Sequence, residues 1–277
     1  MATFRAILVL AAILFSAGPA GAQERLAWAP EDRVELVYDV FAGGRVAEMT
    51  LEFDVAGTRY SIATRQSSAG VLRWVWSWDS VAQVRGRFLN GGAQPERYRV
   101  LGRSRGKSRS VEIDYRDGEA VHVAVEPSNR SDGRDEVPAA LRKGAVDPAS
   151  AIMTVLRQVN EGRTCEARTP VFDGRQRYDI VFADGGVREI AASLASVFAG
   201  EARVCEFHWV PIAGRTRREG APARAEDDRR GGRAFIAPIG EGEAKAPVRI
   251  EFDAWFGTIV GHLRSVRRVP STTEAAN

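Results

Sequence analysis

Residues 47 to 55 carry the pattern that most restricts the fold. Ala47, Met49, Leu51, Phe53 and Val55 alternate with Glu48, Thr50, Glu52 and Asp54, which is how a strand with one buried and one wet face is written. The same period of two recurs at Val34, Leu36, Tyr38, Val40; at Val111, Ile113, Tyr115; at Val121, Val123, Val125; at Tyr178, Ile180, Phe182; and at Val248, Ile250, Phe252, Ala254. Gly43-Gly44, Asp117-Gly118 and Asp184-Gly185-Gly186 separate such runs, with residues that tolerate the positive φ of tight hairpins. About ten strands joined by short turns predict an antiparallel, mainly β architecture.

One segment breaks the period. Asp147-Pro148 supplies a helix cap and a first-turn proline, Ile152, Val155, Leu156 and Val159 follow at helical spacing, and Gly162 stops the run. These four apolar residues are expected to be buried and Arg157 and Glu161 to be wet. A long sheet with one helix to cover it must curl, so the expected fold is one large curled antiparallel sheet (barrel, half-barrel or spiral) with a single packed α-helix. Residues 127 to 145 read as a surface loop. Residues 214 to 233, rich in Arg, Glu, Asp, Gly and Ala, read as a mobile charged loop inside one β-rich domain spanning 23–277.

The amino terminus sets the expected address. Met1 to Arg5 carries one positive charge, Ala6 to Ala17 is apolar, and Ala20-Gly21-Ala22 offers small residues for signal peptidase. Residues 1–22 are read as a cleaved signal peptide, too short in its apolar run to span a bilayer. The expected location is a bacterial periplasm, with no transmembrane segment after cleavage. Cys165 and Cys205 are the only cysteines, and an even pair in an oxidising compartment reads as a disulfide bond.

Positive charge comes almost wholly from arginine, 39 basic residues including 3 Lys, yet 36 acidic residues leave a net charge of +3. That balance argues against a nucleic-acid partner. His122, His208 and His262 stand far apart, and no zinc-protease, serine-hydrolase or phosphate-loop motif is present. Catalytic residues, a metal site and a cofactor are therefore not expected. Trp74, Trp76 and Trp78 would line one face if Leu72 to Asp79 is a strand. They would then form either core, a hydrophobic ligand groove or a surface touching a membrane.

Tyr38-Asp39-Val40 with Gly43-Gly44-Arg45-Val46-Ala47, Pro95-Glu96-Arg97-Tyr98, Val146-Asp147-Pro148-Ala149-Ser150-Ala151, and Pro170 through Asp179 form an ordered set of landmarks. In order and spacing, over roughly residues 34 to 212, they resemble the bacterial family called domain of unknown function 3108. The resemblance implies an exported β-rich protein and supplies no catalytic residue. Its most specific element contains Asp173, Arg175, Arg177 and Asp179, readable as a polar site for an anionic ligand or as a hairpin clasp with local ion pairs; the clasp is the simpler account of Asp-Gly at a turn. Two roles follow. One is a non-enzymatic structural or interaction protein of the cell envelope, its partner an envelope protein or lipid. The other is a carrier or sensor enclosing an apolar ligand such as a lipid or acyl chain.

Overall fold

The structure is a computed structural model and describes residues 33–89, 92–131, 133–214, 231–239 and 244–269. The expected signal peptide and residues 215–230 of the expected charged loop lie outside them. In chain order the elements are β1 (Arg33–Phe41), β2 (Arg45–Ala56), β3 (Arg59–Ser68), α1 (Leu72–Val75), β4 (Trp78–Leu89), β5 (Gly92–Ser104), β6 (Lys107–Arg116) and β7 (Glu119–Glu126). After them come α2 (Ala139–Arg142), α3 (Pro148–Asn160), β8 (Ala167–Phe172), β9 (Arg177–Ile190), β10 (Gly200–Ala213), β11 (Gly231–Pro238), β12 (Lys245–Ala254) and β13 (Gly257–Val269).

All thirteen strands form one antiparallel sheet in the order β7-β6-β5-β4-β3-β2-β1-β13-β12-β11-β10-β9-β8. Two meanders thus meet where β1 pairs with β13, and they end at β7 and at β8, whose outer side is bridged by Val146 to Val171. The sheet is not closed. Its two arms nonetheless curl together. The guanidinium of Arg175, in the turn after β8, donates to the Glu126 carbonyl at 2.9 Å and the Pro127 carbonyl at 3.1 Å, at the end of β7. Gly174 beside it lies so close to Val111 of β6 that a Cβ would collide, and its φ of 89° suits glycine. The result is a broken barrel.

The helix α3 fills the curl, packing on β4, β5, β8 and β12. Its expected start holds: Asp147 Oδ1 accepts from the Ala149 and Ser150 amides at 2.9 and 3.0 Å, with Pro148 in the first turn. Side chains then bolt it to the sheet. Thr154 Oγ1 accepts from the Ala93 amide of β5 at 2.9 Å, and Asn160 exchanges two hydrogen bonds with the Lys245 backbone of β12, at 2.9 and 2.7 Å. Val155, Leu156 and Val159 are buried as expected, and one continuous buried cluster joins them to both arms of the sheet.

Ile152 departs from expectation, being 50% exposed. At about 100° per residue, Ile152 shares the face of Leu156 and Val159, yet near the start of the helix the buried residues are its neighbours Ser150, Ala151 and Met153, and the face under Ile152 is covered only from Val155 onward. Arg157 is also drawn in: it pairs with Glu161 at 2.6 Å and its guanidinium lies over the Phe88 ring.

Three other readings are corrected. Leu72 to Asp79 is not a strand: Leu72–Val75 is one helical turn, and β4 starts only at Trp78. The cause lies just upstream, where Gly70 takes φ 58° and Ala69 bonds the Val46 carbonyl, turning the chain out of β3. Asp184-Gly185-Gly186 does not separate two strands but lies inside β9, as a bulge opposite Val204 of β10. Finally, the strand after the charged loop resumes at Gly231 rather than Ala234, because Gly231 and Gly232 fit against Phe207 where a side chain would collide. The expected single helix is joined by two four-residue turns, α1 and α2, neither with a buried residue.

Candidate functional site

The first turn of α3 carries the densest chemistry in the described residues. Asp147 is fully buried, and its Oδ2 accepts from the hydroxyl of Ser150, also fully buried. Because Ser150 gives its proton to Asp147, the Tyr60 hydroxyl must be the donor in the 2.7 Å bond between Tyr60 and Ser150. The relay Tyr60, Ser150, Asp147 therefore joins β3 to the helix. Tyr60 reaches it only because Gly86 of β4 has no side chain, since a Cβ there would meet the Tyr60 hydroxyl.

Tyr98, Tyr115 and Tyr178 surround the relay. Burial pushes all of these phenols far above their ordinary range, and the charge of Asp147 adds to the effect. Burial likewise raises the Asp147 carboxyl to about 6, against the pull of its hydrogen bonds to Ser150 and to the Ser150 and Ala149 amides. Tyr115 keeps its buried hydroxyl without a hydrogen-bond partner. Each acceptor of Asp147 is engaged inside the fold, so the relay can hold a proton and pin the helix, but as placed it offers no group to a substrate. Sequence reasoning found Asp147 as a cap and missed the tyrosines, because hydroxyls on strands far apart in the chain leave no local signature.

Asp173, Arg175, Arg177 and Asp179 do come together, and they form a clasp. Asp173 Oδ1 closes its own turn by accepting from the Arg175 and Gln176 amides at 2.8 and 2.7 Å. Burial raises its pKa, partly offset by those two amides. Arg175 holds the end of β7 as described, and Arg177 donates to the Leu141 carbonyl at 3.0 Å, so both arginines fasten the 127–142 connection to the sheet. Arg177 and Arg168 both bond Asp179, each at 2.7 Å. Burial works to raise the Asp179 pKa, yet these two arginines outweigh it and hold the carboxyl below its ordinary range.

The remaining expected positions are scattered. Cys165 and Cys205 lie buried at disulfide distance, their Cα atoms 5.5 Å apart, tying the segment before β8 to β10. Trp74 and Trp76 are exposed and Trp78 is half-buried at the start of β4, so the three neither line one strand face nor form core. His122 and His208 stand on separate strands, and His262, its pKa lowered by burial and by Arg249, packs edge-on against Phe41. Among the described residues no cluster of His, Cys, Asp and Glu is placed to hold a metal ion, and no helix is long and apolar enough to cross a membrane.

A family model described as protein of unknown function, DUF3108, matches residues 36–264. The chain belongs to this family. The DUF3108 match runs past Ile212, the end of the landmarks seen in the sequence, to the last strand, as the topology requires: β13 must be present for β1 to have its second neighbour. Among solved structures, the DUF3108 chain is similar to the crystal structure of a beta-barrel-like protein of domain of unknown function DUF1849 from Brucella abortus. The TM-score is 0.54 at 11% identity, over 88% of this chain and 99% of that one, a likeness of fold. A search among curated proteins finds no match.

Proposed function

We propose that this DUF3108 protein is a non-enzymatic structural or interaction protein of the cell envelope, exported to the periplasm through a cleaved signal peptide at residues 1–22. The observation that carries the reading is the packing of α3 inside the curled sheet. A carrier of lipid or acyl chains needs its ligand where Val155, Leu156 and Val159 are buried, and displacing a helix bolted at Thr154 and Asn160 would forfeit the core. Asp147 and Tyr60 at that helix are joined through Ser150 and spend their hydrogen bonds inside the fold, which supports a holding role over acid–base chemistry. The cysteine pair at disulfide distance suits an oxidising compartment.

Native mass spectrometry of protein purified from its own cells tests this. The expected species begins at Gln23, lacks two hydrogens at the cysteines, and carries bound protein or nothing. A stoichiometric lipid that survives gentle activation would replace the scaffold with the carrier. Recovery from the cytoplasm with residues 1–22 intact would overturn the location.

A further inference from the structure

Strand pairing sends several hairpin tips out of one edge of the sheet. Phe41 pairs with both Arg45 and Val260, Ser68 with Ala47, Asp79 with both Ser67 and Arg103, and Ser104 with Lys107. The β5–β6 turn, the β3–β4 connection, the β1–β2 turn and the β12–β13 turn are therefore neighbours in that order. The β3–β4 connection exposes Val71, Trp74, Val75 and Trp76, at 80%, 90%, 73% and 47%. Two hairpins away, Trp255 and Phe256 are exposed at 96% and 57%. Four strand spacings separate these tips, about 19 Å along the sheet, close enough for one flat surface to touch both.

Cations accompany the aromatics. Arg73 lies within the first tip, and Arg105 and Lys107 in the adjoining turn, all exposed. The Arg105 guanidinium stacks 4.2 Å over the Trp76 ring, whose Nε1 donates to Ser104 Oγ at 3.0 Å, so these two tips form one unit. Of the carboxylates at this edge, Asp79 faces Arg103 across the ladder, Asp253 adjoins the second tip, and Asp39 and Glu48 beside the β1–β2 turn are neutralised by Arg45 and Arg264; among the described residues no ion pair engages Arg73, Arg105 or Lys107.

We propose that this edge is a membrane-docking surface that seats Trp74, Trp76, Trp255 and Phe256 at the headgroup level of an anionic lipid bilayer. Tryptophan favours that interface, where its ring meets acyl chains and its N–H meets water. Neighbouring arginine and lysine add attraction to anionic headgroups. A protein partner would need a separate pocket for each protruding tip, whereas a bilayer accepts both in one plane. The proposed envelope role supplies only the setting, and vesicle binding is read independently of it.

Co-sedimentation with vesicles of phosphatidylcholine mixed with phosphatidylglycerol tests the assignment, using protein as its host matures it so that any retained leader is common to every variant. The parent should bind, with a blue shift of tryptophan emission, and should bind phosphatidylcholine alone at least about tenfold more weakly. Trp74→Ala with Trp255→Ala, and separately Arg73→Glu with Arg105→Glu, should each weaken binding at least about tenfold while melting like the parent. Binding by either double variant that equals the parent's overturns the proposal. So does absence of parent binding, and so does a parent dimer that the tryptophan variant abolishes while neither protein binds vesicles.

Discussion

The interior of the curl and its hairpin-tip edge use aromatic residues in opposite ways. Inside, Tyr38, Tyr60, Tyr98 and Tyr115 are buried, and Tyr178 is half-buried. At the edge, Trp74 and Trp255 stand almost wholly in solvent. Apolarity alone would arrange them the other way. The interior tolerates phenols because some hydroxyls do structural work: Tyr38 donates to the Pro247 carbonyl at 2.6 Å, and Tyr60 anchors the helix through Ser150. The edge tryptophans bury nothing that the fold needs. Stability belongs to the first region and is nearly absent from the second, and mutations can test that division.

The largest effect is expected at Leu156. Leu156→Ala should lower stability by about 2–5 kcal/mol, the range for a large-to-small change in a core, measured as a lower denaturant midpoint with an unchanged slope. An unaltered midpoint would mean that α3 is peripheral and that the interior does not carry the fold. Next comes Asp147. Its carboxyl rises from an ordinary 3.8 to about 6 in the folded protein, so the native state holds a proton more tightly than the unfolded chain. Stability attached to this group is complete below pH 4 and falls as the pH rises toward 6, by about 3 kcal/mol in all. Asp147→Asn keeps an acceptor for the Ala149 and Ser150 amides and removes the charge, so the variant should lose this fall. Parallel pH profiles of the two proteins from 4 to 7 would refute the buried-charge account.

That polar interior shows how far the sequence could be read. Period-two runs located β1, β2, β6, β7, β9 and β12, where one face tends to the core; Ala47, Phe53 and Val55 are buried as the alternation requires, but in β12 Glu251 is buried and Phe252 exposed, and the other strands left no such run. The helix cap was legible because capping is local. Trp74 to Trp78 misled for a related reason: alternating tryptophans look like a strand, and nothing in the segment reveals that Gly70 has already turned the chain away. The relay joins residues 90 positions apart, and Arg175 reaches across 48 and 49 positions to the end of β7. Such pairings are made by the curl of the sheet, which no window of sequence records. Pro170 to Asp179 was recognisable as an element, but the partners of Arg175 and Arg177 in the chain before α3 were not, because they lie far away in sequence.

Two tyrosines sharpen the comparison within the interior. Tyr60→Phe removes the donor to Ser150 and should cost about 1 kcal/mol, the net worth of a typical buried hydrogen bond. Tyr115→Phe removes a buried hydroxyl that has no partner, so it should be neutral or stabilising. Equal losses in both, read from thermal melts, would mean that the phenols act only through ring packing.

The smallest effect is expected at the edge, and it is the one that separates the two regions most cleanly. Trp74 stands in solvent in a turn, α1, that has no buried residue, and Trp255 packs on Phe256, its exposed neighbour in the same turn, at 5.3 Å between ring centroids. Replacing a fully solvated side chain removes little area from the folded state that the unfolded chain does not also expose, so Trp74→Ala and Trp255→Ala should each stay within about 0.5 kcal/mol of the parent. A loss comparable to that of Leu156→Ala would show that these rings pack against something in solution, and would move the edge into the same class as the interior. A null effect on stability together with a loss of vesicle binding leaves one explanation for why two large apolar rings are kept in water at the end of a sheet: they are there for what they touch outside the fold.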